Sequence, residues 1–152
     1  ASGTAPMRMG NAHPNIVPYS VFDCADGWII IATGNDGQYR RLCGILGLEA
    51  LAEAPEYLTN ADRITNRAAL TARITERTRT FTKAELLAAC ERDGVPAGPI
   101  NDMGEVFADP QIVARGLRIA PDGVPGVRSP FSFSGAELAL DRPSPKLGEH
   151  DA

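Results

Sequence analysis

"VPYSVFDCADGWIIIATGND", residues 17–36, places two apolar runs on either side of a short turn and ends in capping residues. The runs are 17–24 and 27–33, and an Asp-Gly pair between apolar runs is a strong signal for a β-hairpin. Asn35 and Asp36 have side chains that accept hydrogen bonds at the first turn of a helix. The stretch therefore predicts two strands and a helix in direct succession.

The predicted helix has an apolar stripe and a defined end. Tyr39, Leu42, Cys43 and Leu46 recur at helical spacing, so they fall on one face. Gly47 follows where many helices end in a left-handed residue, a conformation that costs glycine little. Together with the hairpin, this makes a strand–turn–helix unit.

The next segment predicts shorter helices and then a longer one. Residues 48–65 contain Pro55 and allow short helical turns at most, after which Asn66 is placed to cap a helix. The side chains predicted to face inward are Leu70, Ile74 and Phe81. The arginines predicted to be solvated are Arg67, Arg73, Arg77 and Arg79.

Capping patterns predict three more helix starts. They are Thr82 with Glu85, Asp102 with Glu105, and Asp109 before Pro110. Gly94 and Gly116 are predicted to end helices, and 95–100 is predicted to be a short strand. Strands interleaved with helices in this way indicate an α/β or α+β fold.

The pattern changes after residue 116. An extended run at 117–121 and a Gly/Pro turn at 122–127 precede an apolar stretch, "SPFSFSGAEL" at 129–138, which predicts a strand. Such a strand must pair with a segment elsewhere, and without its partner we expect it to be exposed, disordered or swapped between chains.

Composition excludes some classes of partner. The net charge is −4, whereas nucleic acids and membrane surfaces attract cationic proteins, so we expect neither as a partner. No apolar run approaches the roughly 18 residues of a membrane span, and no signal-peptide core is visible, so we expect a cytoplasmic protein. Cys24, Cys43 and Cys90 are isolated, which indicates buried, unreactive thiols rather than disulfides or a metal site.

The stretch "GNAHPN", residues 10–15, is the first candidate for ligand binding. Gly10 permits backbone conformations that other residues avoid, and the amides of Asn11 and Asn15 can donate and accept hydrogen bonds. His13 can donate to a phosphate or a carbonyl. The alternative is that His13 is a surface histidine without a role.

Asp36 and the C-terminal tail are weaker candidates. Asp36 lies where backbone N–H groups at a helix start can hold an anion, but it is equally explained as a first-turn carboxylate. His150 could serve as a base, or "LGEH" could simply cap a turn through Glu149. No motif pairs a nucleophile with its base.

Four blocks then carry a family resemblance. They are residues 10–47, "GVPAGPINDMGEVFADPQIVARG" at 94–116, "SPFSFSG" at 129–135 and "PKLGEH" at 145–150. In their sequence and order, these blocks resemble the C-terminal part of family III CoA-transferases, the CaiB/BaiF group. The resemblance implies a full chain about twice this length or more, with a Rossmann-type large domain, a small α/β domain and an interlocked homodimer.

The resemblance also implies a division of this chain. Residues 1–16 would be an N-terminal loop segment, 17–116 the small α/β domain with its hairpin and helices, and 117–152 a strand segment that returns to the large domain.

In that family an aspartate attacks the acyl-CoA, and an aspartyl-CoA thioester then passes CoA to a carboxylic acid. The resemblance places that aspartate upstream of this chain, which would be inactive alone, with coenzyme A as part of the substrate and no tightly bound cofactor. The loop at 10–15 matches the loop that closes over the thioester. The substrate-binding candidates are Gly10, Asn11, His13, Asn15 and Asp36.

Two alternatives remain open. The α-methylacyl-CoA racemases resemble this region too, and Asp36 lies near the place of a glutamate in their acid/base set. A non-catalytic dimerisation or CoA-binding module is the second alternative.

Overall fold

The structure is a computed structural model that describes Gly3, Ala5 and residues 8–149. The chain divides into two compact units, Ala1–Ile100 and Asn101–Ala152. The division into segments at 16 and 116 that the family resemblance implies stays a prediction.

The first unit is built on a three-stranded antiparallel sheet in the order β1-β2-β3. The strands are β1 (Tyr19–Cys24), β2 (Gly27–Ala32) and β3 (Ala97–Ile100). Phe22 lies opposite Ile29, and both are buried, since alternate side chains of each strand face the core. The predicted hairpin and the predicted strand within 95–100 are confirmed.

Helix α1 (Asp36–Leu46) forms as its sequence predicts. The side chain of Asn35 accepts a hydrogen bond from the backbone of Gln38, which satisfies a free N–H group of the first turn. Gly47 ends the helix in the left-handed region, with φ of 64°. The buried residues of the helix are those of the predicted stripe: Tyr39, Leu42, Cys43 and Leu46.

Short helices follow, as Pro55 suggested. The remaining helices of the first unit are α2 (Glu49–Glu53), a 3-10 turn (Pro55–Tyr57), α3 (Asn60–Thr65), α4 (Arg67–Thr78) and α5 (Lys83–Arg92). Thr82 and Glu85 form the predicted capping box, and hydrogen bonds from the backbone and hydroxyl of Thr82 lower the pKa of Glu85. Among the described residues, no helix combines the length and the apolar character needed to cross a bilayer.

Asn66 behaves differently from its prediction. It stands at the start of α4, but its side chain accepts no capping bond there; its amide instead donates to the carbonyl oxygens of Glu56 and Asp62. A short helix, α3, already precedes it, so the position is a link between two helices rather than a free helix start.

The core of the first unit lies between one face of the sheet and the helices α1, α4 and α5. Leu70 and Ile74 of α4 and Leu86 of α5 are fully buried in it. Phe81 lies beyond the end of α4 and packs against the core while partly buried.

The second unit contains two short helices and a small antiparallel pair of strands. These are α6 (Met103–Ala108), α7 (Pro110–Ala114), β4 (Arg118–Ile119) and β5 (Gly126–Val127). Asp102 and Asp109 accept the predicted capping bonds, and Gly116 has a φ of 59° after α7.

The segment 129–138 forms no strand in the described part of the chain and is exposed, as we expect of a strand sequence without its partner. Among the described residues, no strand follows Val127, and Phe131 and Phe133 are 69% and 60% exposed. An apolar sequence becomes a strand only where a neighbour supplies N–H and C=O groups, and this segment has no such neighbour here.

Candidate functional site

The loop formed by residues 10–18 approaches the start of β1 without regular secondary structure. Gly10 has a φ of 60°, the left-handed conformation that the sequence analysis anticipated for a glycine. Asn11 and Asn15 are exposed, whereas His13 is half-buried. The backbone N–H of His13 donates to the carbonyl of Tyr19 at 2.9 Å, which joins the loop to the sheet.

The imidazole of His13 has a defined orientation. Its ring stacks on that of Tyr19, with centroids 5.2 Å apart, and its Nδ1 accepts a hydrogen bond of 3.1 Å from the backbone N–H of Asn15. A neutral imidazole whose Nδ1 accepts has its proton on Nε2, so this hydrogen bond assigns the tautomer. Nε2–H is then the remaining donor of the ring.

Three polar side chains of α3 and α4, called the clamp residues below, hold the loop. They are Asn60, Arg63 and Arg67. Arg67 donates from Nη1 to the carbonyl of His13 at 2.9 Å and from Nη2 to that of Pro14 at 2.7 Å. The loop carbonyls therefore receive charge-assisted hydrogen bonds, which are stronger than neutral ones.

Asn60 contacts the second half of the loop through both ends of its amide. Its Nδ2 donates to the carbonyl of Asn15 at 2.8 Å, and its Oδ1 accepts from the backbone N–H of Val17 at 3.0 Å. The amide of Asn60 thus satisfies one backbone carbonyl and one backbone N–H group that have no partner within the loop.

Arg63 is the clamp residue that lies inside the protein, with 1% of its surface exposed. Its Nε donates to the carbonyl of Val17 at 2.7 Å, and its Nη1 donates to those of Tyr57 and Leu58 at 3.0 and 3.2 Å. Its Nη2 pairs with Oδ1 of Asp36 at 2.7 Å. A buried cation is tolerated only where such partners replace its water.

Asp36 is therefore an ion-pair partner at the first turn of α1. Its side chain is 45% exposed, while that of Arg63 is buried, so the pair lies at the edge of the core. The guanidinium of Arg63 also lies 4.4 Å from the ring centroid of Tyr39, and burial raises the pKa of Tyr39. This environment supports a structural role for Asp36, and its contact with substrate stays a prediction.

The end of the loop and the turn before α1 lie side by side. Thr33 donates to the carbonyl of Pro18 from its hydroxyl at 2.8 Å and from its backbone N–H at 3.1 Å. Beside the loop, an open groove of about 400 Å³ runs between β1 and α4, with Ala12 and Arg67 among its lining residues. The structure thus brings most of the predicted site to one end of the sheet.

The prediction that four arginines at 67–79 are solvated is correct for two of them. Arg73 and Arg79 are exposed, but Arg67 and Arg77 are half-buried and donate to backbone carbonyls, Arg77 to that of Leu46 at 2.8 Å. The clamp residues were missed as a group. No local pattern links them, because Asn60 and Arg63 belong to α3 and Arg67 belongs to α4.

The C-terminal candidates belong to the second unit of the chain. Glu149 accepts a hydrogen bond of 2.6 Å from the backbone N–H of Lys146, as a capping residue does. His150 lies outside the described residues. Within the described part of the chain, no group of three or more His, Cys, Asp or Glu side chains is arranged to hold a metal ion.

The three thiols are predicted to be inert while the protein is folded. Cys24, Cys43 and Cys90 are buried and free, as the sequence analysis expected. Burial raises the pKa of all three thiols, that of Cys90 to about 11, so the reactive thiolate is scarce near pH 8.

Titration with a thiol-specific disulfide reagent at pH 8 measures this protection. We expect reaction at least about 100-fold slower in the native chain than in urea, where all three thiols react. Rapid labelling of a thiol in the native chain would show that the core around it opens easily.

Comparisons with known proteins show which family this chain resembles. The family model described as CoA-transferase family III matches residues 1–151. A succinate–glutarate CoA-transferase from Agrobacterium fabrum is 53% identical over 99% of this chain and 39% of that protein. An acetyl-CoA:oxalate CoA-transferase from Acetobacter aceti is 37% identical over 100% of this chain and 39% of that protein.

A solved structure extends the likeness to the fold. The crystal structure of a CaiB/BaiF family protein from Brucella suis is 55% identical, with a TM-score of 0.89, over 98% of this chain and 39% of that one. The chain thus spans about two fifths of the length of the proteins it matches. Because the family model covers almost every residue, the chain belongs to CoA-transferase family III.

Proposed function

We propose that the full-length protein moves CoA between an acyl-CoA and a carboxylic acid, and that this chain supplies the loop over the reacting thioester. Membership of CoA-transferase family III is the observation that carries the proposal. The geometry of the loop supports it, because Nε2–H of His13 and the exposed amides of Asn11 and Asn15 are hydrogen-bond donors of the kind a thioester or carboxylate accepts.

We propose that the reaction runs through an aspartyl-CoA thioester. A carboxylate attacks the acyl carbonyl and releases CoA thiolate, which then attacks the mixed anhydride to give the enzyme thioester and the free acid. The acceptor acid reverses these steps. The family resemblance implies that the attacking aspartate lies in the part of the protein outside this chain, and we adopt that assignment; Asp36 is held in an ion pair by Arg63.

We further propose short dicarboxylic acids as substrates. One relative reported above is named for succinate and glutarate, and the other for acetyl-CoA and oxalate, so each name includes at least one short dicarboxylate. The acyl and acceptor pair used by this protein is expected within that class. The interlocked homodimer and the cytoplasmic location remain predictions from the family resemblance.

An assay of the full-length protein tests the proposal. We expect succinyl-CoA and glutarate, or another short dicarboxylic pair, to yield the exchanged CoA thioester, and the 152-residue chain alone to yield none. Uptake of deuterium at the α-carbon of a 2-methylacyl-CoA without an acceptor acid would contradict it and indicate a racemase. Binding of CoA without either reaction would contradict it and indicate a binding module.

A further inference from the structure

The clamp residues donate hydrogen bonds to four carbonyl oxygens of the loop backbone. The carbonyl oxygens they contact are those of His13, Pro14, Asn15 and Val17. All three side chains come from α3 and α4, so the loop is held from one side by two helices. The helices in turn are anchored in the core, which makes them a rigid support.

The loop has few other contacts that define its path. Residues 10–18 have no ladder partner, and the backbone bonds within this stretch include Ala12 N–H to Met9 and His13 N–H to Tyr19. A segment with so little regular bonding takes its conformation from the groups that satisfy its backbone. The clamp residues supply the partners of four loop carbonyls and of the Val17 N–H.

Arg67 is the clamp residue whose role is separable from folding. Arg63 is buried in the core, whereas Arg67 is half-buried on the surface of α4. Its two Nη atoms bond two consecutive carbonyls, those of His13 and Pro14. The planar guanidinium holds both acceptors in one fixed geometry, which the single ammonium of lysine does not reproduce.

We propose that Arg67 is a positioning residue for the transfer reaction. By holding the backbone at His13 and Pro14, it fixes where the His13 imidazole meets the acyl-CoA. Both Nη atoms of Arg67 donate to the loop backbone, so the role assigned to it is to position the loop. This inference rests on the proposed function of the loop.

Hydrogen exchange in the full-length protein tests whether Arg67 holds the loop in place. Arg67→Gln is expected to raise the exchange rate of the amides of residues 12–17 at least about 10-fold. Arg67→Lys is expected to give an intermediate rate, because it can bond only one carbonyl well. Arg73→Gln removes an exposed arginine from the same helix and is expected to leave these rates unchanged. Melting temperatures of all variants are expected within about 3 °C of the wild type.

Steady-state kinetics of the same variants test whether the position of the loop affects the transfer reaction. A misplaced loop weakens contacts made in the transition state, so Arg67→Gln is expected to lower kcat about 10-fold or more. The KM for acyl-CoA is expected to stay within about twofold of the wild-type value. Arg67→Lys is expected to restore part of the lost kcat. Unchanged exchange, or raised exchange with unchanged kcat, overturns the proposal. A wild-type protein without transferase activity overturns the proposed function and the positioning role with it, and the exchange data then decide separately whether Arg67 holds the loop.

Discussion

Arg63→Met is expected to lower the free energy of unfolding of the chain by about 3–5 kcal/mol. The substitution keeps a long apolar stem but removes every donor of a side chain that is 1% exposed. The carbonyls of Val17 and Tyr57 lose their guanidinium partner, and an unsatisfied buried acceptor costs about 1–3 kcal/mol. Asp36 contributes less to the loss, because its carboxylate is 45% exposed and regains water.

Arg79→Met is the matched control for this prediction. Arg79 also pairs with an aspartate, Asp23, but its side chain is 63% exposed and that of Asp23 is 38% exposed. An exposed ion pair is worth about 0–1 kcal/mol, so the same substitution is expected to have a small effect. Urea unfolding of the chain measures both variants. Equal losses for Arg63→Met and Arg79→Met would show that the buried network is not what stabilises this region.

Leu70→Ala is expected to cost about 3 kcal/mol in the same measurement. Leu70 is fully buried on α4, one turn beyond Arg67, and it belongs to the core cluster between the helices and the sheet. Truncation removes three heavy atoms from a packed site and leaves a cavity that the surrounding helices fill only in part. Because α4 also presents Arg67 to the loop, we expect faster exchange of the loop amides in this variant.

Leu147→Ala tests whether the loss comes from burial. The side chain of Leu147 is fully exposed, so its truncation removes no packing and is expected to change stability by less than about 0.5 kcal/mol. A Leu70→Ala variant as stable as Leu147→Ala would mean that α4 does not pack on the sheet as described.

Local sequence signals predicted the framework well. The Asp-Gly turn set the hairpin, and Asn35 and Gly47 bounded α1, because each of these residues acts on backbone groups a few positions away. The sequence also predicted the capping boxes at Thr82 and Asp102 correctly. Such local signals do not depend on how the rest of the chain folds.

The interior of the site was not predictable in this way. Arg63 contacts Asp36 and Val17, which lie 27 and 46 residues away in sequence, and nothing in its neighbourhood marks it as buried. An arginine on a helix is usually solvated, so its burial follows from the assembled fold alone. The segment 129–138 forms no strand in this chain for a related reason, since strand formation depends on a partner that composition does not reveal.

We propose that this chain braces a loop over the reacting thioester and that the nucleophilic carboxylate lies elsewhere in the full-length protein. Mass spectrometry of the full-length protein, quenched in acid during turnover of acyl-CoA and digested at low pH, tests it most directly. We predict covalently bound CoA on an aspartate outside the 152 residues described above. Bound CoA on Asp36, or on any other carboxylate of this chain, would contradict the account.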